Sequence, residues 1–311
     1  MPFFSVIIPL YNKEAYIEET IKSVLNQSFQ DFEVIIVDDG STDSSYKMAV
    51  SFKSEKIKLL KQDNQGVSIA RNKGIDYATS KYIALLDADD LWHKNHLIEL
   101  KKQIDLFTDA GLFCNNYEIF YRKNFSRNAQ FNFDYNKDCL IIEDFFKASI
   151  INSVAWTSAV AFSKEKFKYL GEFNPALKTA QDLDLWIRFA LNYKVCFNPT
   201  ITMSYRLFID NSLSKNELNT IRYDFINNYS KEEKLNPSLK IYLDVNRYAV
   251  ALRSKIYGPE WVYKKLEKEI KKSNLNKKQR FILKSPVFLL KFMKWFHKFS
   301  IKRGIYLTSY R

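Results

Sequence analysis

The sequence predicts an α/β protein built on a doubly wound, mostly parallel sheet flanked by helices, with a helical C-terminal extension. Three observations carry that expectation. Apolar runs and helical periods alternate as β-α-β-α-β-α-β through the first hundred residues. The runs are short, continuous and β-branched, as in strands covered on both faces. Their carboxyl ends gather acids, where sheets of this kind bind ligands. A chain of 311 residues with 46% hydrophobic and 16% aromatic content can bury a large core, which excludes bulk disorder.

The elements follow in order. Residues 4–9 (FSVIIP) read as a buried first strand, because the stretch has no basic flank and is too short for a signal peptide or a membrane span. Ile17, Ile21, Val24 and Leu25 fall on one face of a helix. Residues 33–38 (EVIIVD) form strand two, Met48 and Phe52 mark a second helix, and residues 57–61 form strand three. Ile69, Lys73 and Tyr77 mark a third helix, and residues 82–87 form strand four. A later helix spans about 179–193, a strand spans 200–208, and the chain turns helical beyond Asn211.

Scarcity excludes several chemistries. The chain has seven glycines, and they are placed so that no G-x-G-x-x-G, P-loop or G-x-S-x-G elbow can be written. A sugar nucleotidyltransferase would need a glycine-rich phosphate loop near its start, and no glycine precedes Gly40. Cys114, Cys139 and Cys196 are odd in number and far apart, which suggests neither a disulfide framework nor a zinc cluster and fits a reduced, cytosolic compartment. His93 and His96 sit i, i+3 beside an acidic turn without a third nitrogen or sulfur ligand, and they read as surface residues rather than a zinc site.

The acids are the functional signal. Asp87-Ala88-Asp89-Asp90 ends strand four, and carboxylates this close repel unless a cation or hydrogen-bond donors sit among them. A hard divalent ion, Mg²⁺ or Mn²⁺, suits such oxygen ligands, with diphosphate oxygens completing its shell. An acidic helix cap is the competing reading, and the similar Asp38-Asp39-Gly40-Ser41 at the end of strand two favours a ligand site. Ser41 or Thr42 is free to cap the helix that follows. Arg71 lies on the helix between the two acidic ends, and its guanidinium suits a diphosphate.

Taken together, VIIPLYN with Glu14, EVIIVDDGSTD, NQGVSIARNKG, YIALLDADDLW, LGEFNP and AQDLDLWIRFA, spread over residues 3–193, resemble the family 2 inverting glycosyltransferases, which have a GT-A type fold. The resemblance implies that residues 1–212 are the catalytic domain, with a nucleotide-binding half over about 1–110 and an acceptor-side half over about 111–212. It implies that Asp39 contacts the nucleotide base, that Pro9, Tyr11, Asn12 and Glu14 shape the same pocket, and that Arg71 lies near the base and diphosphate. The DxD motif falls on Asp87 and Asp89, Asp89 as metal ligand and Asp87 on the ribose side, with Asp90 a further contact. Asp182 matches the catalytic base, preceded by Gln181 where the family usually has Glu. Gln181, Trp156 and Trp186 are candidates to line the sugar or acceptor pocket, with burial in the core as the alternative for each tryptophan. Two departures are informative. Phe208 stands where the family often has a metal-reaching histidine, and no QxxRW motif follows Gln181, which implies one sugar per acceptor rather than processive synthesis.

The net charge of +13 resides in the tail. Residues 264–311 hold fifteen Lys or Arg against two acids, and the rest of the chain is balanced. After Ser285 as N-cap and Pro286 at the first helical position, Lys291, Lys294, Lys298 and Lys302 share one stripe, while Leu289, Phe292, Met293, Phe296 and Phe299 occupy the opposite arc. Residues 213–311 therefore read as a helical extension ending in a tail that lies on an anionic membrane, or that packs its aromatic arc on the protein. The expected protein is an inverting, non-processive glycosyltransferase on the cytoplasmic face of the membrane, using a nucleotide sugar, expected to be a UDP-sugar, and a glycan or lipid-linked oligosaccharide acceptor. The rival reading is a basic nucleic-acid- or membrane-binding protein without catalysis, which leaves the acidic strand ends unexplained.

Overall fold

The computed structural model describes residues 1–122, 125–207, 209 and 217–310, with Lys302 by backbone alone. Phe208 lies outside the described residues. The chain divides into two compact units. One comprises residues 1–129, 134–145 and 154–211, and the other residues 130–133, 146–153 and 212–311.

The first unit opens with β1 (Phe4–Leu10), α1 (Ile17–Leu25), β2 (Phe32–Asp39), α2 (Ser45–Ser51), β3 (Ile57–Gln62), α3 (Val67–Tyr77) and β4 (Tyr82–Leu85). These four strands are mutually parallel in the order β3-β2-β1-β4. Then come β5 (Leu91–Trp92), α4 (His96–Leu106), β6 (Leu112–Arg122), β7 (Phe125–Asn128), β8 (Leu140–Ile141), the short α5 (Phe145–Ala148), β9 (Val160–Ser163), α6 (Lys164–Leu170), α7 (Gln181–Asn192) and β10 (Val195–Arg206). The sheet continues past β4 as β9-β6-β10-β5. Here it is mixed: β9 runs antiparallel to both β4 and β6, whereas β10 is parallel to β6. The apolar run around β9 is entirely buried and fills the seam between the parallel half and the β6–β10 pair.

α3 falls where the helical spacing placed it and buries Ala70, Arg71, Asn72, Gly74 and Ile75, with Tyr77 exposed. Small residues win here because α3 lies almost on the sheet. A Cβ on Gly74 would come within 2.7 Å of Ile7 Cγ2. The late strand begins at Val195 rather than near 200, its pairing with β6 continuing through irregularities between Asn198 and Met203.

Glu33 ties three elements together at the amino end of the sheet. Its carboxylate accepts bonds from Ser5 Oγ (2.6 Å), Thr79 N (2.8 Å), Thr79 Oγ1 (2.7 Å) and Lys58 Nζ (2.7 Å). Burial pushes the carboxyl up, but Lys58 and the hydroxyl donors outweigh it and hold the pKa at about 2 against an ordinary 4.5.

The second unit contains α8 (Asn219–Asn227), α9 (Glu232–Leu235), α10 (Pro237–Tyr257), α11 (Glu260–Glu269), α12 (Lys277–Lys284) and α13 (Val287–Lys302). Asn236 caps α10 by accepting from Leu239 N, and Asn276 with Gln279 forms a capping box on α12. At its centre, Asp244 is fully buried yet satisfied by Lys240 (2.7 Å), Arg247 (3.0 Å), Lys271 N (3.2 Å) and Asn274 (2.8 Å). Ser285 does not cap α13. Its hydroxyl donates to Phe281 O, and the helix starts after Pro286.

Glu33→Gln should lower stability at neutral pH by about 1–3 kcal/mol, because the carboxylate's charged bonds are lost from a buried position. A depressed carboxyl contributes above its unfolded pKa, so the deficit should shrink as pH falls from 4.5 towards about 2. Urea melts of wild type and variant across that range check it, and a pH-independent gap would refute the assignment.

Candidate active site

The carboxyl ends of β1, β2 and β4 face a group of loops that lock onto one another. Asn12 N donates to Ser41 Oγ (3.1 Å) and Thr42 N to Asn12 Oδ1 (2.8 Å). Lys13 N donates to Ser45 Oγ (2.7 Å), Glu14 N to Asp43 Oδ2 (3.1 Å) and Ser44 N to Glu14 Oε2 (2.8 Å). Asn12 takes a left-handed backbone (φ 50°) to make these bonds, a conformation that Asn tolerates better than most residues. Ser41 and Thr42 are thus spent on Asn12 rather than on capping α2, and Glu14 serves the loop lock. Pro9 is half-buried and Tyr11 exposed at the same rim.

Asp39 clamps the next loop, accepting from Gln62 Nε2 (2.7 Å), Gln65 N (2.9 Å) and Gly66 N (2.8 Å). A carboxylate offers about four lone-pair directions, so one remains for a ligand. Arg71, buried under α3, donates to Asp87 Oδ1 (2.6 Å) and stacks over Phe173 at 5.2 Å. Its Nε and Nη1 are buried with no protein partner. Asn72 brackets Phe173, donating to its carbonyl (2.8 Å) and accepting from its N–H (3.1 Å). That bond pair ties the ARN segment to the EFNP segment about a hundred residues later.

The acidic turn is staked from beneath by Ser158, in a helical turn over Thr157–Ala159 that sequence reasoning did not single out. Ser158 Oγ donates to Asp90 Oδ2 (2.6 Å) and accepts from Asp87 N (3.0 Å), and Ser158 O accepts from Trp92 Nε1 (2.7 Å). Thr20 Oγ1 donates towards the carbonyls of Ala88 (3.1 Å) and Asp90 (2.9 Å). Asp90 is fully buried, and Arg206 N supplies its other oxygen (3.2 Å). Burial first, then the charges of Asp89 and Asp87, push its carboxyl well above the usual range. Asp90 is therefore an anchor of the loop, one carboxylate oxygen accepting from Ser158 Oγ and the other from Arg206 N. Asp89 is also raised, by burial and by Asp87, against the lowering effect of Lys13, whose Nζ lies 2.8 Å from Asp89 Oδ2.

The adjoining residue, Thr157, donates to Asp182 Oδ2 (3.3 Å), while Asp182 Oδ1 accepts from Leu183 N (2.9 Å) at the first turn of α7. One turn of chain thus holds the acidic loop and Asp182 together. Ala180, directly before α7, is in a left-handed conformation (φ 62°), strain that a non-glycine residue bears only where its surroundings impose it. Arg188 fixes the helix by donating to Asp184 (2.7 Å) and to the carbonyls of Leu170 (3.0 Å), Gly171 and Glu172 (2.9 Å). Tyr205 stands among the acids: burial and the charges of Asp90, Asp89, Asp87 and Asp182 drive its hydroxyl far above the ordinary tyrosine range, so it stays neutral. Trp156 leans on Tyr205, ring centroids 4.2 Å apart, and is half-exposed beside the acids.

Other expected site residues fall elsewhere. Trp186 does not line a pocket. It is 1% exposed, packed among Phe162, Phe173 and Phe189. Gln181 is buried with Oε1 unpartnered. His96 is not a surface residue: it is wholly buried, stacked on Trp92 at 4.2 Å and bonded to Thr202 Oγ1 (2.8 Å), and burial lowers its pKa to about 3.

A hard divalent ion fits the donor set at Asp87 and Asp89, two mutually repelling carboxylates at the cleft. Among the described residues no group of three or more His, Cys, Asp or Glu is placed to hold a metal. The protein would supply two carboxylates, leaving positions for phosphate and water.

The acids thus stand at the carboxyl ends of the parallel strands of a mixed sheet, with Asp182 tied to them through Thr157 and Ser158. Residues 5–171 match the Glycosyl transferase family 2 model, and the chain belongs to that family. It is 31% identical over 225 residues to the putative teichuronic acid biosynthesis glycosyltransferase TuaG of Bacillus subtilis, covering 70% of this chain and 83% of that one. An uncharacterized glycosyltransferase of Rickettsia bellii is 26% identical over 269 residues, 82% of this chain, which spans 38% of that longer relative. In structure it resembles S. aureus TarS 1–349, with a TM-score of 0.59 at 19% identity, covering 98% of this chain and 93% of the other, and the UDP-GlcNAc complex of the same protein, with a TM-score of 0.58 at 18% identity, again covering 98% and 93%. These likenesses carry the fold.

Ser158→Ala would leave the buried Asp90 carboxylate and the Asp87 N–H each short of a bond. It should destabilise the protein by about 1–3 kcal/mol, visible as a lower melting temperature, and more than Thr157→Ala, whose partner reaches solvent. Equal effects would refute the anchoring role.

Proposed function

We propose that the chain moves one sugar from a UDP-sugar to a hydroxyl of a surface glycan or lipid-linked oligosaccharide, with inversion and without processivity. The observation that carries this reading is the Thr157–Ser158 turn, which ties a half-buried carboxylate, Asp182, to the acidic loop of Asp87 and Asp89. TarS has been solved with UDP and with UDP-GlcNAc, and TuaG and GgaA of Bacillus subtilis carry teichuronic and minor teichoic acid biosynthesis in their names. These support a uridine donor and a polymer acceptor.

In this mechanism Pro9, Tyr11, Asn12 and the open lone pair of Asp39 receive the base, and Arg71 and Asp87 orient the ribose and diphosphate. Asp182 takes the proton of the acceptor hydroxyl as that oxygen bonds to the anomeric carbon and the bond from that carbon to the diphosphate breaks, releasing UDP. Neutral Tyr205 and half-exposed Trp156 border the sugar. Asp89, with Asp87, would hold Mg²⁺ or Mn²⁺, which would supply positive charge against that of the departing diphosphate.

We also read α13 as a membrane contact. Phe288, Phe292, Trp295, Phe296 and Phe299 are exposed along one stripe, stacked on one another, while Leu290, Ser300 and Ile301 turn inward. Exposed Lys291, Lys294 and Lys298 flank the stripe. Among the described residues no helix is long and apolar enough to cross a membrane. Aromatics beside lysines suit an anionic bilayer entered in its plane, at the cytoplasmic face where such acceptors are built.

Wild type should hydrolyse one UDP-sugar slowly in the presence of Mn²⁺. Asp182→Asn should lower the rate by about 10²-fold or more while UDP binding persists, whereas Asp89→Ala should remove metal-dependent release. Absence of UDP binding by calorimetry would sink the reading. Separately, the triple variant Phe292→Ser, Trp295→Ser, Phe296→Ser should lose sedimentation with vesicles containing anionic lipid, with hydrolysis of free donor unchanged. Undiminished sedimentation would refute the membrane contact.

A further inference from the structure

Lys13 stands at the centre of an arrangement that the reaction above does not use. Its backbone is pinned on both sides, the N–H on Ser45 Oγ (2.7 Å) and the carbonyl accepting from Tyr16 N (2.9 Å) and Ile17 N (3.0 Å) to start α1. The left-handed turn at Asn12, itself imposed by the lock with Ser41 and Thr42, precedes it. The side chain runs to Asp89, Nζ 2.8 Å from Oδ2, with only 13% of the lysine and 19% of the aspartate side chain exposed. Asp87 has Arg71 and Asp90 has Ser158, so each acid of the turn has its own partner. The partner of Asp89 alone is a flexible ammonium.

We propose that Lys13 is a donor-site residue, a built-in cation that competes with the divalent ion for Asp89 and, once displaced, binds the donor diphosphate. This rests on the reading of Asp89 as the metal carboxylate. The charge argument runs in both directions. A buried carboxylate beside a second one needs a positive partner when the cleft holds no ion, and an ammonium supplies it without the strict octahedral shell that Mg²⁺ demands. When an ion takes that carboxylate, the ammonium loses its partner, and leaving a part-buried charge unpaired is costly. Diphosphate oxygens sharing the ion's shell lie a few ångströms from the same carboxylate. A lysine on a four-carbon stem spans that distance by rotamer change while its backbone stays fixed. Lys13 thereby keeps some donor affinity without metal and weakens metal binding without donor, so ion and donor bind best together.

The test uses the full chain as wild type, Lys13→Met and Lys13→Arg. Mn²⁺ binding without nucleotide is read by electron paramagnetic resonance, and UDP binding by calorimetry in EDTA and in Mn²⁺. Lys13→Met should bind Mn²⁺ about tenfold more tightly than wild type and bind UDP in EDTA about tenfold more weakly, while Lys13→Arg stays near wild type in EDTA. Lys13→Met with unchanged or weaker Mn²⁺ affinity overturns the inference, as does unchanged UDP affinity in EDTA. No UDP binding by wild type even in Mn²⁺ would instead overturn the donor-site reading and this inference with it, so the two failures are distinct.

Discussion

The hydrogen bonds of a single helical turn, Thr157 to Ser158, decide whether this fold has an active site. The acidic loop after β4 and the helix bearing Asp182 are separated by almost a hundred residues, yet Ser158 holds the first and Thr157 the second. The turn is buried next to β9, the antiparallel strand that joins the two halves of the sheet. Because a buried carboxylate without donors is expensive, Asp90 binds Ser158 whether or not a ligand is present. The loop is therefore set before any donor arrives, which is the preorganisation that transition-state stabilisation requires.

A second constraint works at longer range. Gly74 lets α3 settle onto β1 and β2, and that depth brings Arg71 to Asp87 and Asn72 to Phe173. Phe173 in turn supports the guanidinium face, and the carbonyls just before it are held by Arg188 of α7. A side chain at position 74 would lift the helix, moving the diphosphate-side arginine and loosening the base helix through one chain of contacts. The strain at Asn12 and Ala180 lies at the two ends of this system, one beside Lys13 and one beside Asp182.

Much of this was legible in the sequence, for physical reasons. The parallel half was readable because strands buried on both faces are continuous apolar runs, and the acids stood out because three carboxylates in four residues have few structural uses. The antiparallel half was harder to read: β6 and β9 lie in aromatic and small-residue stretches without a period that separates strand from helix. For Trp186 the sequence left pocket and core both open, because a motif residue and a core residue look alike, and its ring lies in the core. Ser158 gave one faint signal, a polar Thr-Ser pair inside the apolar stretch SVAWTSAVAF, and burial of such a pair asks for partners that only the fold supplies. Lys13 gave none, since its meaning lies in a contact with a residue 76 positions away.

Charge pairing explains how so acidic a cleft is stable and still open to a ligand. Each acid is neutralised differently. Asp90 is satisfied by fixed neutral donors and is permanent, Asp87 is met by a rigid guanidinium anchored on Phe173, and Asp89 is met by the flexible ammonium of Lys13. A nucleoside diphosphate brings negative charge into this set, and an acidic cleft admits it only if positive charge is present that can change partners. Arg71, with Nε and Nη1 unpartnered, can add a bond without breaking one. Lys13 can leave Asp89 only when another cation replaces it, so this one ion pair ties donor entry to ion entry.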